Sequence, residues 1–223
     1  MKLLKVSAMP TVLLTGFEPF GGEPVNPSWE AVRQLDGWEC RGHRVAARLM
    51  PCVFGTALDA LERAVAETDP VALLAVGQAQ SRAELSLERV AVNLDDARIP
   101  DNAGNRPVDA PVVVDGPAAY FTSLPVKAMA AALRDAGIPA GLSHSAGSFV
   151  CNHLFYGACH LRAVRRPDLR VGFLHIPLAP EQAVRHPGMP SMAIDRVVAG
   201  LRIAVDTLLA TGEDRHEAAG TLE

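Results

Sequence analysis

Cys151 is one of four cysteines, and it stands in the stretch Ser143–His160, SHSAGSFVCNHLFYGACH, with Cys159, His144, His153 and His160. Such a set can ligate a metal or supply a thiol nucleophile. The residues after Gly147 have the pattern of a helix, and helical geometry separates the two chemistries. At about 100° and about 1.5 Å per residue, Cys151 and Cys159 share a broad face but lie about 12 Å apart along the axis, too far to bind one ion. His153 and His160 project about 160–180° away from Cys151. No tetrahedral set with ordinary ligand spacing can be drawn, so no metal is expected. Cys159, on an apolar face with Leu154, Phe155 and Ala158, reads as packing. Cys151 differs in its position: with Gly147 in the loop and Ser148 as N-cap, it falls in the first helical turn. There, free backbone N–H groups and the helix dipole favour a thiolate and can donate to an oxyanion, so a thiol more acidic than usual is expected.

A thiol that transfers acyl groups needs a base. Of the seven histidines, His175 ends the apolar strand VGFLHIP, and open α/β sheets carry their sites at such C-terminal strand ends. His144, at another strand end, is its rival. The acid that would orient the imidazole is not selected by spacing, because Glu18, Glu84, Glu88, Asp95, Asp96 and Asp101 all fall in loop-like or extended stretches. The loop TGFEPFGG, residues 15–22, has neither the Lys-Ser/Thr that must follow a phosphate loop nor the spacing of a dinucleotide-binding turn. Its Phe17 and Phe20 instead suit the apolar walls of a small-molecule pocket.

The elements that must position these residues alternate. TVLLTGF, HRVAARLMP and PVALLAVG read as strands, separated by the helices SWEAVRQL, beginning near Ser28, and FGTALDALERAVAET. This β-α-β rhythm predicts an α/β fold whose parallel sheet is covered on both faces. Leu85, Leu87, Val90, Val92 and Leu94 suggest a hairpin-like excursion before a Pro/Asp/Asn/Gly turn. The rhythm then returns with a helix over 126–137, a strand over 138–145, the Cys151 helix, the strand ending in His175 and a last helix over 191–210. The polar segment 212–223 reads as a frayed tail.

Composition excludes other classes. With 49% hydrophobic and 21% charged residues the chain reads as neither disordered nor membrane-embedded. A net charge of −4 gives no field for a phosphate backbone, so nucleic acid is not an expected partner. Lys5, Ser7 and Pro10 break the N-terminal apolar run short of a secretory signal or membrane span, and the scattered cysteines read as thiols in a reducing cytoplasm. From the residues alone, a thiol redox sensor and a small-molecule-binding α/β protein remain alternatives to an enzyme.

Four blocks in order, LLTGFEPFGGEPVNPSWEAV, ERVAVNLDDARIPDNAGNRP, SAGSFVCNHLFYG and GFLHIPLAPEQ, resemble the signatures of the pyroglutamyl peptidase I family of cysteine peptidases. The resemblance implies a single-domain three-layer α/β/α sandwich over residues 1–211 with a mostly parallel, twisted central sheet. It also implies removal of an N-terminal 5-oxoprolyl residue from peptides without cofactor or metal, and a homo-oligomer, dimer or tetramer. Carried over by motif, the catalytic residues are Glu88, Cys151 and His175. The substrate pocket comprises Phe17, Phe20, Gln78, Ile99, Phe149 and Val150, with Arg98 as a support. Two departures stand out: Gln80-Ser81 precedes Arg82 where many relatives have Gly-Gly, and Cys52 stands where a relative has threonine.

Overall fold

The computed structural model describes residues 9–220; most of the N-terminal run in which no membrane span was read lies outside them. Nine strands and six α-helices follow in chain order among the described residues. β1 (Thr11–Phe17), β3 (His43–Met50), β4 (Pro70–Gln78) and β9 (Arg170–Ile176) form the parallel heart of a seven-stranded sheet of order β2-β3-β1-β4-β9-β5-β8. The short β2 (Glu39–Cys40) pairs antiparallel with β3 at one edge. At the other, β5 (Leu85–Glu88) runs antiparallel to β9 and parallel to β8 (Ala140–Ser143). Val12, Leu13 and Leu14 of β1 are all fully buried, as expected of a strand covered on both faces.

Strand alternation sorts the core into two layers. On one face Leu13, Phe17, Leu73, Ala75, Val171 and Phe173 pack beneath α2 (Thr56–Thr68) and α4 (Val150–Val164). On the other, Val12, Leu14, Leu74, Val76, Leu174 and Ile176 meet α1 (Pro27–Val32), α3 (Val126–Asp135) and α6 (Ile194–Ala210). The result is a three-layer α/β/α sandwich. The short α5 (Pro180–Ala183) follows β9.

Two local expectations are corrected and one is made more specific. The hairpin-like excursion is two different things: Leu85–Glu88 enters the main sheet, whereas β6 (Val90–Val92) leaves it to pair with β7 (Ala119–Phe121) in a separate ribbon over α4. The first helix starts at Pro27, beside Ser28 as expected, with the Asn26 side chain accepting from Ser28 N–H as its cap. The segment from 212, read as frayed, carries no regular element through residue 220 but has an anchor. Asp214 accepts from the backbone N–H groups of Lys127 and Ala128, at 3.1 and 3.0 Å, capping α3, whose own cap position is Pro125.

The sheet register gathers the chemistry. Gly77 and Gln78 at the end of β4 lie beside His175 and Ile176 of β9. Across the antiparallel pair, Ser86 faces His175 and Glu88 faces Phe173. His175 and Glu88 are thus diagonal neighbours on the face covered by α4.

Candidate active site

A cavity of about 370 Å³ opens where α4 meets the ends of β4 and β9, lined by Phe20, Gln78, Ser81, Arg82, Ser145, Gly147, Phe149, Cys151 and His175, among others. Cys151 is the second residue of α4. The first backbone hydrogen bond of that helix runs from His153 N–H to the Phe149 carbonyl, which leaves the N–H groups of Val150, Cys151 and Asn152 without intrahelical acceptors. The thiol reaches the sheet because residue 77 is glycine: a Cβ there would stand 2.8 Å from Cys151 Sγ and 2.8 Å from Phe173 Cζ. Gly77 is also the register partner of His175, so the absent side chain opens the space beside the imidazole into which the sulfur descends.

His175 is buried and its Nδ1 lies 2.8 Å from Glu88 Oε1. A carboxylate only accepts, so Nδ1 donates and Nε2 carries the free lone pair. The ring packs on Phe173 at 4.8 Å between centroids. Glu88 is fully buried; its Oε2 has no partner, and Arg82 Nη2 stands 3.7 Å from its Oε1. The other carboxylates that spacing left open are engaged elsewhere or meet no histidine of the cavity. Glu18 accepts from Cys52 N–H and Asn102, Asp95 is held by His153, and Asp101 is held by Phe54 N–H and Asn105. His144, the rival base, does not line the cavity.

Two expectations about Cys151 are overturned. Its helix is capped by Phe149, without a side-chain bond, because the Ser148 hydroxyl donates instead to the Asp96 carbonyl at 2.7 Å. The thiol is raised from its ordinary value, not lowered: burial is the main cause, and the nearby Cys52 thiol and Glu88 carboxylate add to it. Loss of solvent disfavours the charged thiolate and so works against the acidity expected of a helix start. Cys52 is itself pushed up to about 12, first by burial and then by Glu18 and Asp101. Cys159 is buried in the apolar layer, pushed up to about 12 by burial.

The residues expected to form the pocket divide. Phe20, Gln78 and Phe149 line the Cys151 cavity. Ile99 and Arg98 line a neighbouring cavity of about 380 Å³ that shares Phe20, Gln78 and Ser81 with it and also takes in Gln80. Phe17 and Val150 line neither; both are buried, Phe17 against Phe173 at 6.4 Å. Gln78 is buried, its Oε1 accepts from Gln182 and its Nε2 has no partner. Sequence reading passed over Phe54, whose ring meets Phe149 edge-on at 5.4 Å, and the group behind it. His153 Nε2 accepts from Gly55 N–H at 2.9 Å while Nδ1 lies 2.8 Å from Asp95, which pins the Phe54 turn against the cavity wall. The His at two residues past the cysteine was the available signal. Among the described residues no cluster of three or more His, Cys, Asp or Glu is placed to hold a metal, and no helix is long and apolar enough to cross a membrane.

The family model for pyroglutamyl peptidase matches residues 10–211. The chain is 57% identical over 216 residues to the pyrrolidone-carboxylate peptidase of Cupriavidus taiwanensis, covering 96% of this chain and all of that one. It is 57% identical over 214 residues to that of Chromobacterium violaceum, with the same coverage. Its fold superposes on the crystal structure of pyroglutamyl peptidase I from Bacillus amyloliquefaciens with a TM-score of 0.90 at 45% identity, covering 92% of this chain and 100% of that one. A mutant pyrrolidone carboxyl peptidase of Pyrococcus furiosus gives 0.87 at 40% identity, covering 90% and 98%. A match of this extent, over a cavity that brings a cysteine, a histidine and a buried carboxylate together, establishes that the chain belongs to the pyroglutamyl peptidase family.

Proposed function

We propose that this protein is a cysteine exopeptidase that removes the pyroglutamyl residue from the N-terminus of peptides, with Cys151 as nucleophile, His175 as base and then acid, and Glu88 as the group that orients the imidazole. The observation that carries the reading is the His175–Glu88 bond of 2.8 Å at the wall of the cavity that also holds the thiol. Because Nδ1–H is committed to Glu88, Nε2 takes the thiol proton. The sulfur attacks the carbonyl that joins 5-oxoproline to the next residue, and the oxyanion faces the free N–H groups at the start of α4. The imidazolium then protonates the leaving amine, and the thioester is hydrolysed by water with His175 again as base. Hydrolysis of a chromogenic pyroglutamyl amide, lost in the Cys151→Ala protein, tests the assignment. The same reading includes a homo-oligomer, measurable by light scattering. The exposed Phe121, Val108 and Val114 offer apolar surface for it. We infer a cytoplasmic location, with which four free cysteines agree.

A raised thiol pKa predicts how the resting enzyme reacts. Cys151 stores a neutral thiol and gives up its proton only as attack begins. In the free protein, its alkylation by iodoacetamide should therefore keep rising from neutral into alkaline pH, without a plateau near neutrality. Peptide mapping should still find Cys151 labelled before Cys40, Cys52 and Cys159, since it alone lines a cavity with a histidine. A plateau below pH 7 would reveal a preformed thiolate and overturn the neutral resting state.

Gly77→Ala probes the seat of the sulfur. The new methyl would overlap both Cys151 Sγ and the Phe173 ring, displacing the thiol from the imidazole. A misplacement of about 1 Å typically costs about a hundredfold in rate, and overpacking costs about 1–3 kcal/mol of stability. Steady-state kcat and thermal unfolding of the same preparation would measure both. An unchanged kcat would mean that the sulfur need not occupy this niche.

A further inference from the structure

One side chain outside the Cys151–His175–Glu88 set stands beside Glu88 and also grips the segment that leads to Cys151. Arg82, at the end of the loop Ala79–Arg82 that follows β4, turns its Nη2 to Ser143 Oγ at 2.8 Å and the Ser145 carbonyl at 3.2 Å, with Glu88 Oε1 at 3.7 Å. Ser143 is the register partner of Glu88 in β8, and Ser145 opens the segment that runs through Gly147 into α4. The backbone of Arg82 is itself fixed, its N–H donating to the Ala79 carbonyl. The loop it closes supplies Ser81 to both cavities and Arg82 to the wall beside Cys151. Meanwhile Glu88 is fully buried with one oxygen unpartnered. A buried carboxylate beside a neutral imidazole lacks a countercharge, and Arg82 is the one cation within ion-pair reach of it among the described residues.

Building on the catalytic roles assigned above, we propose that Arg82 is a positioning residue that acts through Glu88: its guanidinium compensates the buried carboxylate while His175 is neutral, and its hydrogen bonds fasten the cavity loop to the end of β8 and the segment that leads to the nucleophile. The cavity loop and the acid are thereby one unit. When the loop is seated, Glu88 is held as the acceptor of His175 Nδ1–H, which leaves the Nε2 lone pair free for the thiol proton. Arg82 need not contact the substrate, so its removal acts on turnover more than on binding.

The test is a double-mutant cycle with a chromogenic pyroglutamyl amide, using Arg82→Gln, Glu88→Gln and the double variant, with Arg82→Lys as the charge-conserving control. Arg82→Gln should lower kcat by about thirtyfold or more with KM changed less than about threefold. In the Glu88→Gln background, where no carboxylate remains to compensate, the same substitution should lower kcat less than about threefold. Arg82→Lys should recover at least about a third of the lost logarithmic activity. Equal losses in both backgrounds, or a loss confined to KM, would overturn the proposal and make Arg82 only a loop anchor. A variant that unfolds, seen by circular dichroism, would be replaced by Ser143→Ala, which removes the hydroxyl Arg82 grips and should show the same non-additivity with Glu88→Gln. These outcomes are separable from failure of the catalytic assignment itself, which would appear as turnover surviving in Cys151→Ala.

Discussion

Cys151→Ala and His175→Ala are each expected to reduce kcat by about four orders of magnitude or more, whereas Glu88→Gln should leave a measurable remnant. The asymmetry follows from what each group supplies. Without the sulfur no thioester forms, and without the imidazole nothing in the cavity can take the proton of a thiol that burial keeps neutral. The second point gives His175 more weight here than it would have beside a preformed thiolate. Glu88→Gln keeps the shape of the side chain but exchanges a charged acceptor for an amide. The amide can still accept from Nδ1–H in one orientation, yet it no longer stabilises the imidazolium. A loss of about a hundredfold to ten-thousandfold is the expected range, because members of such a unit contribute non-additively. Single-turnover kinetics with a pyroglutamyl amide would separate acylation from hydrolysis of the thioester. Wild-type kcat in Glu88→Gln would remove the carboxylate from the mechanism, and wild-type turnover in His175→Ala would demand another base.

The parts of this site that were legible in the sequence are those governed by local periodicity. The apolar run TVLLTGF becomes β1, VGFLHIP supplies β9 with the site histidine one residue before the strand's end, and a helix carrying Cys151 in its first turn follows Gly147, capped one residue later than expected. What local pattern does not carry is pairing. Leu85 and Leu87 alternate, and Val90 and Val92 alternate again in the opposite phase, as a hairpin-like excursion would, but alternation reports a buried face and not a partner. The chain changes partner at Arg89, and only the long-range insertion of β9 between β4 and β5 sets Glu88 diagonal to His175. That is why spacing could not select Glu88 from six carboxylates, and why the selection rested on resemblance. The same limit explains Ser148. Its hydroxyl suits an N-cap locally, but the Asp96 carbonyl brought over by a distant loop claims it. It explains Phe17 and Phe20 as well, since Phe17 still belongs to β1 and its direction is fixed toward the core, while Phe20 lies beyond the strand and is free to face the cavity. The acidity of Cys151 was misjudged for a related reason: position on a helix can be read from a sequence, but the depth at which that helix end is buried cannot.

Selectivity for an N-terminal lactam should be large, with kcat/KM for pyroglutamyl amides at least about a thousandfold above that for prolyl, glutamyl or glutaminyl amides, equivalent to about 4 kcal/mol. The cavity walls argue for it. Phe20 and Phe149 supply apolar surface, packed on each other at 6.2 Å, and no carboxylate lines the cavity; its charged lining residue is the cation Arg82. A lactam is neutral and can be enclosed there. An N-terminal glutamate or glutamine would bring an ammonium group into the same space, with no acid to pair it and a guanidinium nearby, a burial that costs several kcal/mol. Proline tests the point more sharply, because it has the ring but lacks the lactam oxygen and carries a charged amine. The buried Gln78 Nε2, without a protein partner, would find an acceptor in a lactam carbonyl and none in proline, and an unpaired buried donor penalises the wrong substrate strongly. Parallel assays of the four amides on one preparation would measure the ratios. Gln78→Ala should narrow the gap between pyroglutamyl and prolyl substrates by weakening the former. Comparable cleavage of prolyl and pyroglutamyl amides by the unmodified protein would show that ring shape alone is recognised, and the polar half of this argument would fall.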